Sequence, residues 1–234
     1  MNDFSITGAA TKAAPAAGET LTSRTYAMLR ADIIRGGLQP GVKLKIEELR
    51  ERYDVGTSPI REALSLLSSD GLVHRIEQRG FRVSNVSGQE FADILRVRCW
   101  FEERALREAI ANGDSAWEEE LVLAAYRLSR EPRSIGTGET FIANADWEAS
   151  HKAFHSALIS ACGSPILLAY CDDLYDKNVR YRNLAGTLSY PNRDIACEHD
   201  AVVDASLARN ADLAVAELMR HYQRTSQLLA GRLK

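Results

Sequence analysis

Two histidines stand four residues apart in the stretch HKAFH, at positions 151 and 155. On a helix this spacing stacks the two imidazoles on one face. Leu158, Ile159 and Cys162 continue that face, so it has the character of a buried one. Two chemistries fit such a pair. The rings can chelate one transition-metal ion, or they can pack in a core with their nitrogens hydrogen-bonded. Four of the 5 histidines fall in the C-terminal part of the chain, at His151, His155, His199 and His221, each among apolar residues at helical spacing. Two further helices could then close a site around one ion, and imidazole suits zinc, nickel, copper or iron. His74 lies apart from this group.

Other reactive groups carry weaker signals. Cys99, Cys162, Cys171 and Cys197 show no C-x-x-C spacing. They are expected to be reduced, mostly buried thiols outside any disulfide framework. The stretch NVRYRN places Arg180, Tyr181 and Arg182 together, with Arg182 as a candidate contact for an anionic ligand. In RVRCWFEE, Arg98 precedes Glu102 by one helical turn, which permits a simple surface ion pair. An all-helical metalloenzyme with an accessory domain is the alternative reading. Such sites need a general base or a carboxylate-rich shell. The Glu-x-x-His pairing of di-iron bundles is incomplete here, with only Glu148 three residues before His151.

These side chains must be positioned by a chain of 234 residues, 45% of them hydrophobic, long enough for two domains. The net charge of -3 hides an asymmetry. Residues 20–86 hold 11 lysines and arginines against 8 acids, whereas residues 87–234 hold 17 against 22. A mildly basic front half points to a polyanionic partner. No apolar run approaches the roughly 20 residues of a membrane span. Residues 1–19 lack the basic start and apolar stretch of a signal peptide and read as a disordered tail. A cytoplasmic protein without membrane contact is expected.

From residue 20, LTSRTYAMLRADIIR has a helical period, GGLQPG breaks it, and KIEELRERY forms a second helix. The third helix, PIREALSLLSSDG, is expected to have Ser58 as N-cap, Pro59 at its first position and Gly71 at its end. LVHRI and FRVSNV flank the turn EQRG as a β-hairpin. Three helices and a hairpin over residues 20–86 make a winged helix-turn-helix. Thr57, Ser58 and Arg61 fall at the start of its third helix, and Arg79 and Gly80 at the hairpin tip. Such positions reach the grooves of DNA. Residues 87–234 carry almost only helical periodicity. Ser87 and Glu90 form a capping box, and helices are predicted over 88–111, 115–129, 139–162, 165–184, 191–208 and 211–231. The fold class is mainly α: a winged helix-turn-helix followed by an all-helical ligand-binding bundle.

LRADIIRGGLQPGVKL, VGTSPIREALSLLSSDGLV and QRGFRV, in this order, are followed by HKAFHSAL, EHDAVVDA and AVAELMRHY. Together they resemble the GntR family of bacterial transcription regulators, in its FadR-like branch with an FCD ligand-sensing domain. The resemblance covers the chain after residue 20 and looks closest to regulators of the carbon-starvation-induced (CsiR) type. It implies a metabolite-responsive DNA-binding regulator, most often a repressor and not an enzyme, acting as a homodimer on a palindromic operator. It assigns DNA reading to Thr57, Ser58 and Arg61 and the wing tip to Arg79 and Gly80. It also implies a divalent metal, zinc first, with nickel, iron or manganese as alternatives. His155, His199 and His221 match the family's ligands, and His151 stands where an aspartate usually does. A small carboxylate effector is expected at the metal, with Arg98 and Arg182 as its partners. Glu47 replaces an arginine that contacts DNA in one relative, so that relative's operator cannot be borrowed.

Overall fold

The computed structural model describes residues 20–76, 80–138 and 140–229. These fall into two compact units, one of residues 20–31 and 42–83, the other of residues 32–41 and 84–229.

The first unit contains most of α1 (Leu21–Ile34), then β1 (Lys43–Leu44), α2 (Ile46–Tyr53), α3 (Thr57–Ser69), β2 (Val73–Ile76) and β3 (Gly80–Val83). Leu29, Leu49, Ile60, Leu64 and Leu67 form its helical core. The sheet is antiparallel in the order β1-β3-β2, pairing Leu44 with Phe81 and Val73 with Val83. These four side chains are buried, as period-2 alternation requires. The expected hairpin therefore has a third strand. Two residues are too few to show a period in sequence, so β1 was not foreseen.

The start of α3 also differs from expectation. Gly56, not Ser58, is the N-cap, with extended backbone and its carbonyl accepting from Ile60 N. Ser58 and Pro59 lie inside the first turn, where backbone N–H groups lack helical partners and proline is tolerated.

The second unit contains α4 (Gly88–Asn112), α5 (Ser115–Arg130), α6 (Ala145–Ile159), a 3-10 turn (Ser160–Cys162), α7 (Pro165–Ser189), α8 (Ile195–Leu207) and α9 (Ala211–Leu229). Its core is built on Leu106, Trp117, Leu121, Phe154, Leu158, Val202 and Leu218. The six helices match the predicted ones, but their ends move. Helix α6 begins at Ala145 instead of 139. Ser134 bridges Ala143 in the preceding loop, and Asn144 caps the helix by accepting from Asp146 N at 3.1 Å. Asp194 likewise starts α8 by accepting from Cys197 N at 3.0 Å. At α4, Ser87 caps Glu90 N at 3.3 Å, but the Glu90 carboxylate turns away and accepts from Tyr181 Oη at 2.8 Å. Only half of the capping box forms. All four cysteines are free; Cys162 and Cys171 are buried, while Cys197 is exposed. Among the described residues, no helix is long and apolar enough to cross a membrane.

Candidate functional site

Helix α6 supplies His151 and His155, α8 supplies His199 and α9 supplies His221. One ligand-capable atom from each ring lies within 4.8 Å of the others. Ring centroids are 4.5 Å apart for His151 and His155, 5.0 Å for His151 and His199, and 4.8 Å for His199 and His221. All four are buried. Phe154, between the two α6 histidines in sequence, packs 4.8 Å from the His199 ring and excludes water from that side. The four residues singled out in the sequence thus meet at one point.

The outer nitrogens are held in turn. His221 Nδ1 is 2.8 Å from the Glu198 carboxylate, which can only accept, so His221 donates there and its Nε2 lone pair remains available. Tyr222 Oη donates to Glu102 and accepts from Arg98 Nη2 at 2.9 Å. Its one proton is therefore committed, and His155 Nδ1, 3.0 Å away, must donate to it. His155 also turns an Nε2 lone pair toward the cluster. That atom lies 3.3 Å from His151 Nε2, while His151 Nδ1 lies 2.7 Å from Tyr175 Oη. His199 Nε2 is buried without a hydrogen-bond partner.

An orphaned ring nitrogen among three others, with their outer nitrogens bonded to carboxylate or phenol, fits a transition-metal donor set. Burial pushes His151, His155 and His199 well below the ordinary imidazole range, aided by Arg182, Arg98 and His221 respectively. Burial brings His221 to about 4 against the pull of Glu198. Neutral imidazole is the form that ligates. Burial pushes Glu198 up, but hydrogen bonds from His221, Arg193 and Arg224 outweigh it and hold the carboxyl well below its usual range.

Arg98 is 1% exposed, not a surface residue. It donates from Nε to Glu102 at 2.6 Å and lies 4.2 Å from the Tyr222 ring centroid. Arg182 donates from Nη2 to Glu148, and no carboxylate joins the histidine cluster among the described residues. Arg182 Nε and Nη1 are buried without partners. The Tyr175 ring is 5.0 Å from the Arg98 guanidinium and 4.9 Å from that of Arg182. A cavity of about 460 Å³ reaches His199, and another of about 420 Å³ reaches His155. Sequence reasoning missed Glu198, Tyr175 and Tyr222. Glu198 and Tyr222 each adjoin a histidine in the chain, and that adjacency was their only signal.

In the first unit, Ser58 and Arg61 are exposed and Thr57 half-buried on the first turns of α3. Gly80 opens β3 at φ 92°, a left-handed conformation that glycine adopts freely. Arg79, expected beside it, lies outside the described residues. Glu47 is paired within α2 to Arg50 at 2.5 Å.

Residues 21–83 match the family described as bacterial regulatory proteins of the gntR family, and residues 93–224 match the FCD domain. The chain is 38% identical over 204 residues to the transcriptional regulator BphR of Paraburkholderia xenovorans, covering 87% of this chain and 83% of that protein. It is 37% identical over 222 residues to the transcriptional repressor GlaR of Escherichia coli, covering 91% and 99%. The solved structure of E. coli McbR/YncC shares the fold at a TM-score of 0.70 and 19% identity, covering 92% of this chain and 99% of that one. A GntR regulator from Rhodococcus does so at 0.68 and 22%, covering 90% and 98%. The relatives named here are transcription regulators and not enzymes. With both halves matched in order along the chain, this protein belongs to the GntR family of DNA-binding bacterial transcription regulators, its second unit being an FCD domain.

Proposed function

We propose that this regulator acts in the cytoplasm as a repressor that binds a palindromic operator as a homodimer and releases it when a small carboxylate enters the FCD domain. Residues 20–86 would read DNA and residues 87–234 would sense the effector. The observation that carries the sensing half is the unpartnered His199 Nε2 amid three other buried imidazoles, beside a guanidinium with two open donors. His151, His155, His199 and His221 would hold a divalent ion. Bound there, it supplies positive charge and an open coordination position for an anion. An all-nitrogen set suits zinc first, then nickel or iron, and suits manganese least. Arg182 offers Nε and Nη1 to the effector carboxylate. Arg98 fixes Tyr222, which orients His155, and adds its charge to the same region.

On the DNA side, Arg61 would pair with a guanine edge, Thr57 and Ser58 would hold the start of α3 on the backbone, and Arg79 and Gly80 would form the wing contact. The name of GlaR supports repression. A second copy would cover the exposed strip of Trp100, Ile166 and Tyr170, where the Phe101 and Tyr170 rings link α4 to α7 at 5.8 Å.

The test is selection of short duplexes from random DNA by the purified zinc-loaded protein, with and without a panel of small organic acids. Enrichment of a palindrome, weakened by one of the acids only when zinc is present, is expected. Enrichment of no sequence, or acid effects that persist after chelation, would sink the proposal.

A further inference from the structure

A cavity of about 310 Å³ lies apart from the histidines. It shares no lining residue with the cavities that reach His155, His199 and His221. Its walls come from the second unit alone: the segment 33–40, the loop at 141–143, and α7. Arg180 and Asn183 stand one turn apart on α7 and so share a face. Each is 8% exposed, and each holds a backbone carbonyl with one nitrogen. Arg180 Nη2 donates to Ser84 O, and Asn183 Nδ2 donates to Ile34 O at 3.0 Å. Arg180 Nε and Asn183 Oδ1 are left buried without a hydrogen-bond partner. Among the described residues, no acidic side chain lines the cavity and none forms an ion pair with Arg180. Burial lowers the Arg180 pKa, opposed only by Tyr181 and Glu90. The Glu90 carboxylate is itself taken by Tyr181 Oη.

The neighbouring side chains serve the histidine region instead. Arg182 leaves α7 on the side away from Arg180 and meets Glu148. Trp147, four residues after Ala143, stacks on His151 at 4.5 Å and 22°, and the Arg133 guanidinium lies 5.9 Å from the Trp147 ring centroid. The cavity at Arg180 therefore has its own chemistry. A buried donor and a buried acceptor without partners are each costly, and so is a buried cation without an anion. A ligand that relieves all three has an anionic group to accept from Arg180 Nε. Beside that group it has a hydroxyl or N–H to donate to Asn183 Oδ1. The rest of the wall is apolar, from Ile33, Ile34, Pro40, Phe141 and Ile142, with exposed Arg35 at the rim. The volume is at the low end for small-molecule pockets, which limits the apolar body to about one ring.

We propose that this cavity is a second ligand site, built for a small amphipathic anion whose charged group is flanked by a hydroxyl or N–H and whose apolar body is about one ring. Arg180 Nε holds the anion, Asn183 Oδ1 takes the neighbouring proton donor, and the apolar wall takes the body. Arg35 adds positive charge at the mouth. Mandelate, a 2-hydroxy acid with a phenyl ring, has this chemistry and serves as the probe. The site needs neither a metal nor the sensing role proposed above, so the two readings stand or fall separately.

The experiment is calorimetric titration of the full-length protein, zinc-loaded and zinc-free. The probes are mandelate, phenylacetate, which lacks the hydroxyl, and mandelamide, which lacks the charge. Mandelate is expected to bind both forms of the protein, about ten-fold or more tightly than either analogue. Asn183→Leu should remove the margin over phenylacetate. Because Asn183 also anchors Ile34 O, a second variant keeps the test independent of folding. Ile142 is 50% exposed, so Ile142→Glu adds an acid at the rim without disturbing the core. It should weaken mandelate several-fold and leave Tm and mandelamide affinity unchanged. No binding of mandelate at millimolar concentration, equal binding of the three probes, or binding that requires zinc overturns the proposal. So does mandelate affinity unmoved by Ile142→Glu, or a margin over phenylacetate that survives in folded Asn183→Leu protein.

Discussion

Glu198→Gln isolates the support of the proposed metal site from its ligands. The Glu198 side chain accepts four hydrogen bonds. Oε2 takes His221 Nδ1 at 2.8 Å and Arg193 Nη2 at 2.7 Å, while Oε1 takes Arg193 Nε at 3.0 Å and Arg224 Nη1 at 2.9 Å. An amide has the same shape but only one oxygen. Whichever way it is turned, its NH2 group faces two donors, so two bonds are lost and two N–H groups collide with it. If the oxygen stays with His221, the ring keeps its orientation but loses a charged partner that raises its basicity. If the amide flips, the ring is released. Loss of such an outer partner typically weakens metal binding by about 10–100-fold, or roughly 1.4–2.7 kcal/mol. Disrupting the buried part of the pair costs up to about 3–5 kcal/mol of stability, less the share of half-exposed Arg224. The assay is zinc affinity by chelator competition at neutral pH, with melting of the zinc-free and zinc-loaded protein alongside. Weaker zinc binding and a smaller zinc-dependent rise in Tm are expected. A folded Glu198→Gln protein with wild-type zinc affinity would refute the argument that this carboxylate tunes His221.

Wild-type protein should carry about one divalent transition metal per chain, and His155→Ala should lose it, read by elemental analysis; retained metal places the ion elsewhere. Arg61→Ala should weaken operator binding by about 1–3 kcal/mol and relax the preference at one base pair, with Tm unchanged because Arg61 is exposed. A uniform loss across all sequences would make Arg61 a phosphate contact. Phe154→Ala removes a fully buried ring beside His199 and should destabilise the second unit by about 3–5 kcal/mol in urea; an unmoved midpoint contradicts the packing described. Trp100→Glu combined with Tyr170→Glu should halve the mass measured by light scattering, and a mass that stays dimeric shows that another face joins the copies.

Much of this was legible in the sequence because it rests on local rules. The α4 cap at Ser87, the glycine at 80 and the six helical periods of the second unit all follow from short-range chemistry. The histidine cluster was legible for a different reason: the i, i+4 spacing of 151 and 155 showed a face, and the family pattern supplied the two distant partners. What stayed hidden depends on contacts between distant segments. Glu90 fits a capping box on paper, yet Tyr181, from α7, captures its carboxylate. The stretch 139–144 contains neither glycine nor proline, and the Ser134–Ala143 bridge and the Asn144 cap delay α6 to Ala145. Arg133 lies in a loop without periodicity, so nothing in the chain announced that it would line the cavity that reaches His199.

Trp147 also has an optical consequence. The protein has 3 tryptophans. Trp100 is exposed and reports solvent, and Trp117 is locked in the core with its indole N–H on Ala157 O at 2.9 Å. Only Trp147 lies against both an imidazole of the cluster and the Arg133 guanidinium. Indole emission responds to charge on neighbouring groups, so a change at either neighbour is written into the fluorescence of one residue. In a Trp100→Phe background the cavity that reaches His199 can therefore be followed by its own light, without a dye.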